Sequence, residues 1–209
     1  MDLSLTIFEV IVLIFSVVVH EVSHGFMAEK LGDPTARLAG RLTLNPLKHL
    51  DPFGSVILPL LLSLVPGGVV FGWAKPVPYN PYNLKNPEKG AALIAVAGPL
   101  SNLGVAIGLS VVYHLLGLAT GSVLLTLQSL VGFIVLINIV LAVFNLIPIP
   151  PLDGAKVMTA LLPDSAGGFK YFFRENNPYG WILLLAFIFI GMPLIAPIIY
   201  AIAGFILGI

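Results

Sequence analysis

The 209-residue chain has no cysteine and few charges: ten Lys or Arg, ten Asp or Glu, and four His. Without cysteine there are neither disulfides nor thiolate metal sites, so any bound metal must be held by His, Asp or Glu. A formal net charge of zero leaves no basic face for nucleic acid. Charged residues make up 10% of the chain, whereas a soluble surface needs roughly a quarter. The sequence lacks the means to face water.

What is present is apolar, with 58% hydrophobic residues and a mean hydropathy of +1.02. Five apolar runs stand out, at about 5–19 (continuing to His24), 53–71, 91–118, 123–147 and 181–208. A spanning helix needs about 20 such residues. The first, third, fourth and fifth runs have them. The second, FGSVILPLLLSLVPGGVVF, is interrupted by Pro59, Pro66, Gly67 and Gly68 and reads as re-entrant. Such backbone is tolerated at membrane depth only against protein or a watery cavity. The overlapping stretch VVFGWAKPVPYN, rich in Val, aromatics and turn residues, reads as one or two short strands. The first run lacks a basic start and a small-residue cleavage site, so it is expected to be retained as a helix.

Seven of the ten Lys and Arg fall in residues 29–52 and 72–90. The excess of positive charge on cytoplasmic loops puts both segments on that side. The expectation is an all-α polytopic membrane protein forming one domain over 1–209. It has a three-helix core within about 5–160 and a C-terminal transmembrane segment at about 181–208. A re-entrant or short β-hairpin region lies between the first and third runs.

Residues 17–26, VVVHEVSHGF, set His20, Glu21 and His24 at the end of the first apolar run. On a helix, residues four apart share a face, so both imidazoles of this H-E-x-x-H motif can reach one ion. Glu21 lies about 100° around from His20, beside that face, where it can touch water without ligating the metal. The bland alternative is a pair of interfacial histidines with a glutamate partner. Burying three ionisable groups without a ligand costs several kcal/mol, which weighs against it.

A catalytic zinc usually takes three protein ligands. No third histidine follows at the H-E-x-x-H-x-x-G-x-x-H spacing, and Met27 stands at the glycine position. The remaining candidates are Asp33, Asp51, Glu88, Asp153 and Asp164. Asp153 has the best setting. It lies in NLIPIPPLDGAKV, where Pro148, Pro150 and Pro151 end a helix and Gly154 permits a turn before the next. Aspartate is equally suited to N-capping that helix, and spacing leaves both readings open.

With HEVSH (20–24), AGPLSN (97–102) and NLIPIPPLDG (145–154) in this order, the chain resembles the site-2 protease family of intramembrane zinc metalloproteases. The likeness covers nearly the whole chain and looks like the short subgroup without an inserted PDZ or CBS domain. It implies one zinc held by His20, His24 and Asp153, with Glu21 as general base. Asn102 and Asn145 would line the site, steadying the tetrahedral intermediate or binding substrate backbone; an interhelical hydrogen bond is the plainer role for each. The implied activity is endopeptidase cleavage of transmembrane or membrane-associated proteins within the bilayer. Compactness suggests a prokaryotic cytoplasmic membrane, and the Lys- and Arg-rich loops next to the motif put the site toward the cytoplasm.

Two rivals remain at this point. A zinc or proton-coupled transporter needs ionisable residues leading to the far side, where the apolar runs offer mainly His114. A noncatalytic client-binding membrane protein would not need the intact motif. Gly104 and Gly108 form a G-x-x-x-G that reads as close helix packing in the core. His49 reads as a loop residue rather than a ligand.

Overall fold

The computed structural model describes residues 3–57, 61, 73–118, 121–174 and 177–209, and among these every regular element is helical. The helices are α1 (Leu3–Lys30), α2 (Thr35–Leu38), α3 (Pro87–Gly117) and α4 (Ser122–Asn145). They continue with α5 (Asp153–Leu161), α6 (Gly167–Phe172), α7 (Gly180–Ala186) and α8 (Met192–Leu207). A π-helical turn at Phe187–Gly191 joins α7 to α8. Among the described residues, four helical stretches are long and apolar enough to cross a membrane: Leu3–Lys30, Pro87–Gly117, Ser122–Asn145 and Gly180–Leu207. Their outer faces carry Phe205, 90% exposed, and Leu194, 75% exposed. Water would penalise that surface, whereas lipid solvates it.

The helix ends follow local chemistry. Asn86 caps α3 by accepting the Lys89 amide at 3.0 Å, and Pro87 occupies the first turn, where no amide is needed. Helix α4 stops at Asn145, three residues before the first of Pro148, Pro150 and Pro151.

Cross-helix hydrogen bonds give the directions. His20 of α1 meets Asn102 of α3, while His24 meets Ile94, so the two helices are antiparallel. Asn102 also meets Asn138 of α4, while Tyr113 meets Gln128, so α3 and α4 are antiparallel too. Helices α1 and α4 are therefore parallel, and their C-terminal ends share one end of the bundle. Helix α8 packs on α3 and α4 through Ala106, Val135, Ile139, Ile199, Ala203 and Leu207. In lipid such packing is held by close contact rather than by exclusion of water, which favours small residues such as Ala106 and Ala203.

The region between α2 and α3 differs in part from the expectation. Most of the re-entrant reading at 53–71 and the start of the strand reading fall on 58–60 and 62–72, outside the described residues. The remainder, 73–79, belongs to no strand. Its amides are fastened in alternation along one side. Trp73 N–H donates to Gly54 O (3.1 Å), Lys75 N–H to His49 O (2.8 Å) and Val77 N–H to the Glu21 carboxylate (2.9 Å). Prolines at 76 and 78 force the residues before them into extended backbone and remove amides from the opposite side. The result is an extended strap tied to loops and side chains.

Gly104 and Gly108 also depart from the reading as a packed core motif. A Cβ at either would meet nothing within 4 Å, so they lie on the outer face of α3. The inner face carries Ala106 and Ser110, both buried.

Candidate metal centre

One turn of α1 separates His20 from His24, so the rings stand on one face with centroids 4.6 Å apart, edge to face. Asp153 is the first residue of α5. Leu152 is that helix's N-cap, with no side-chain cap, so the carboxylate of Asp153 does not do the capping its sequence setting also allowed. It reaches across to α1 instead. Its Oδ2 lies 3.1 Å from His20 Nε2 and 3.1 Å from His24 Nε2. The three residues are buried, at 6%, 9% and 7% exposure. A tetrahedral ion with bonds of about 2.1 Å sets its ligand atoms roughly 3.4 Å apart, close to this spacing.

The donor chemistry fits a divalent cation. His24 Nδ1 lies 2.7 Å from Ile94 O, a backbone carbonyl that only accepts, so Nδ1 carries the proton. His20 Nδ1 donates to Asn102 Oδ1 at 2.7 Å. With Nδ1 as the protonated nitrogen, a neutral ring at either position turns its Nε2 lone pair toward the Asp153 carboxylate, the form in which histidine binds a metal. Lone pairs that close repel unless a cation or proton sits among them, and two nitrogens plus one oxygen is a donor set suited to zinc. Lys156 Nζ, 3.9 Å from Asp153 Oδ1, favours the charged form of the carboxylate. An ionised carboxylate is what metal ligation at this position requires.

Two glycines make the approach possible. A Cβ on Gly98 of α3 would sit 2.6 Å from His20 Cε1 and Nε2, and nearer still to His24 Cε1. A Cβ on Gly154 would sit 2.5 Å from Ile147 O and closer to Leu146 O, so the turn carrying Asp153 folds tightly onto the end of α4. Neither close approach is readable from a lone glycine in a sequence.

Glu21, beside the histidine face, accepts the Val77 amide through Oε2 at 2.9 Å. Arg41 is buried nearby and donates from Nη2 to Lys75 O at 2.5 Å. Burial lowers its pKa, and the Glu21 charge partly offsets that.

Asn102 is fully buried, and its amide is fully engaged. Beyond its bond to His20, its Nδ2 donates to Ser16 O (3.1 Å) and Asn138 Oδ1 (2.8 Å). The sequence reading passed over Asn138 and Ser16. The available signal was a lone asparagine inside the apolar run GFIVLINIVLAVF, an expensive residue to place in lipid. Asn145 instead donates from Nδ2 to Leu141 O of its own helix at 2.9 Å. No hydrogen bond among the described residues ties it to His20, His24 or Asp153.

The other acidic candidates are engaged elsewhere. Asp33 anchors Thr35, Asn80 and Asn83, and Asp51 caps the turn at Phe53 and Gly54. Glu88 and Asp164 both pair with Lys170. His49 is buried and donates from Nε2 to Thr43 O at 2.9 Å.

Comparison with known proteins agrees with this geometry. The family model of peptidase family M50 matches residues 8–122 and 114–188. The chain is 42% identical to YwhC of Bacillus subtilis strain 168 over 187 residues, covering 88% of this chain and 80% of that protein. It is 32% identical to Rip2 of Mycolicibacterium smegmatis over 149 residues, 68% of this chain but only 52% of that protein. Zinc metalloprotease MJ0392 of Methanocaldococcus jannaschii is 27% identical over 160 residues, 77% of this chain and 36% of that protein. No solved structure matches the chain.

Proposed function

This chain belongs to peptidase family M50 and is a zinc metalloprotease, and from that premise we propose that His20, His24 and Asp153 hold one zinc ion. The substrates we propose are transmembrane or membrane-associated proteins, cut within the bilayer by a single domain spanning 1–209 with its core in about 5–160. The observation that carries the reading is that Asp153 Oδ2, 133 residues on from His20, lies 3.1 Å from the Nε2 atoms of both histidines. The loops rich in Lys and Arg adjoin the end of α1 that bears the site, which supports placing it toward the cytoplasm.

Zinc, when bound, supplies a Lewis acid that polarises the scissile carbonyl and acidifies water. Glu21 does the proton work. Its carboxylate takes a proton from the attacking water as that oxygen bonds to the scissile carbon, then delivers the proton to the leaving nitrogen as the C–N bond breaks. The Val77 amide on Oε2 fixes the plane of that carboxylate and leaves the proton transfer to Oε1. Asn102, with its amide occupied, acts by holding His20 rather than by touching substrate. Asn145, in the last turn of α4, is kept as the candidate for lining the substrate path.

A transmembrane substrate hides its amides in its own helix and must unwind to be cut. In the strap at 73–79 the amides of Trp73, Lys75 and Val77 and the carbonyls of Trp73 and Lys75 are engaged inward. By strand alternation the outer edge presents the amide of Ala74 and the carbonyls of Ala74, Pro76 and Pro78. Pro76 and Pro78 have no amides to offer. This acceptor-rich edge suits the donor side of an unwound backbone, docked by strand addition.

Replacing Glu21 with Gln in the purified full-length chain is expected to abolish cleavage of a transmembrane substrate while zinc content stays at the wild-type level. Persistent cleavage would remove Glu21 as the base. In the wild type a chelator should silence cleavage and added zinc should restore it.

A further inference from the structure

Asn138 and Ser16 have no hydrogen bond to His20, His24 or Asp153 among the described residues, yet both are buried. We propose that they are positioning residues for the metal centre, acting through Asn102 to dictate which nitrogen of His20 keeps its proton. The proposal rests on the reading of His20 as a zinc ligand.

The argument starts from groups that can only accept. Ile134 O is a backbone carbonyl 2.9 Å from one amide end of Asn138, and that end must therefore be the NH2 group. The same Nδ2 reaches Ser16 Oγ at 3.0 Å. Asn138 Oδ1 is thereby turned toward Asn102, which must present its own NH2 group there, at 2.8 Å. The second proton of Asn102 Nδ2 goes to Ser16 O, 3.1 Å away and again only an acceptor. Asn102 Oδ1 is left facing His20 Nδ1 at 2.7 Å. An oxygen in that position accepts, so His20 carries its proton on Nδ1. Its Nε2 lone pair then faces Asp153, as a metal ligand requires.

A flip of either amide reverses the outcome. An NH2 group against Nδ1 would favour the proton on Nε2, where it blocks the metal. Asn102 and Asn138 are both 0% exposed, so water cannot replace a lost partner. The relay spans α1, α3 and α4 and explains two polar residues on helices that otherwise face lipid or each other.

The test uses the full-length chain in detergent and measures zinc affinity by competition with a chromophoric chelator. Asn138→Leu is expected to weaken zinc binding roughly 10- to 100-fold. Asn138→Asp is expected to stay near wild type. Its buried carboxyl takes up a proton, donates to Ile134 O and still accepts from Asn102. A Leu variant with wild-type affinity, or an Asp variant as weak as the Leu variant, overturns the relay. His20→Ala is the control for the underlying reading. If it keeps wild-type affinity, the ligand assignment fails; if it loses zinc while Asn138→Leu does not, only the relay fails. A measurement without substitution closes the test. Imidazole 15N shifts of the zinc-loaded wild type should show His20 bound through Nε2 with its proton on Nδ1, and binding through Nδ1 overturns the proposal.

Discussion

Gly98 marks how little room the metal centre leaves. A methyl group there overlaps both imidazoles, which are pinned at Nδ1 by Asn102 Oδ1 and Ile94 O and cannot swing away. Gly98→Ala should therefore cost about 1–3 kcal/mol by overpacking and bind zinc less tightly. Elemental analysis of the purified variant measures this, and wild-type zinc content at limiting metal would refute it. The histidines themselves were legible in the sequence, since a spacing of four reports a shared helix face whatever surrounds it. Asp153 was half legible. Its setting after three prolines suggested either a ligand or a cap; that its carboxylate meets α1 while Leu152 stands at the N-cap is visible only in three dimensions. Gly98 and Asn138 were not legible, because their roles depend on distances between helices.

At the scale of elements, the four long helices could be read from composition, because each is apolar over more than a bilayer's thickness. The strap was less readable. Proline, valine and aromatics favour extended backbone whether or not a neighbouring strand exists, and here the partners of 73–79 are a carboxylate and loop carbonyls. Its far end depends on Asp33, which accepts from Thr35 N (3.1 Å), Thr35 Oγ1 (2.5 Å), Asn80 N (2.6 Å) and Asn83 Nδ2 (2.7 Å). Burial would raise the Asp33 pKa, but hydrogen bonds from Thr35, Asn83 and Asn80 outweigh it and hold it below the ordinary 3.8. A folded pKa below the unfolded one means this contribution is complete above the ordinary value and lost as pH falls through the lower folded one. Thermal melts should thus show an acid loss confined to below about pH 4. Asp33→Asn should lower stability at neutral pH, about 1–3 kcal/mol for each donor left facing an NH2 group, and flatten that acid limb. An unchanged acid limb in the variant would show that other carboxylates control it.

For the whole molecule, the proposed zinc joins α1 to the turn after α4 across 133 residues of sequence. A ligand that binds only the folded chain at a thousand times its Kd adds about 4 kcal/mol of stability, on the order of 10 °C in Tm for a chain of this size. Chelation should remove that increment, and Asp153→Asn should make the melt insensitive to zinc. A wild-type melt that ignores chelator would count against metal bridging these segments.

The attachment of Glu21 to Val77 ties two proposed roles to one hydrogen bond. Under those roles, the carboxylate that moves the proton and the backbone that receives the client share an anchor, so whatever stiffens residues 73–79 also steadies the base.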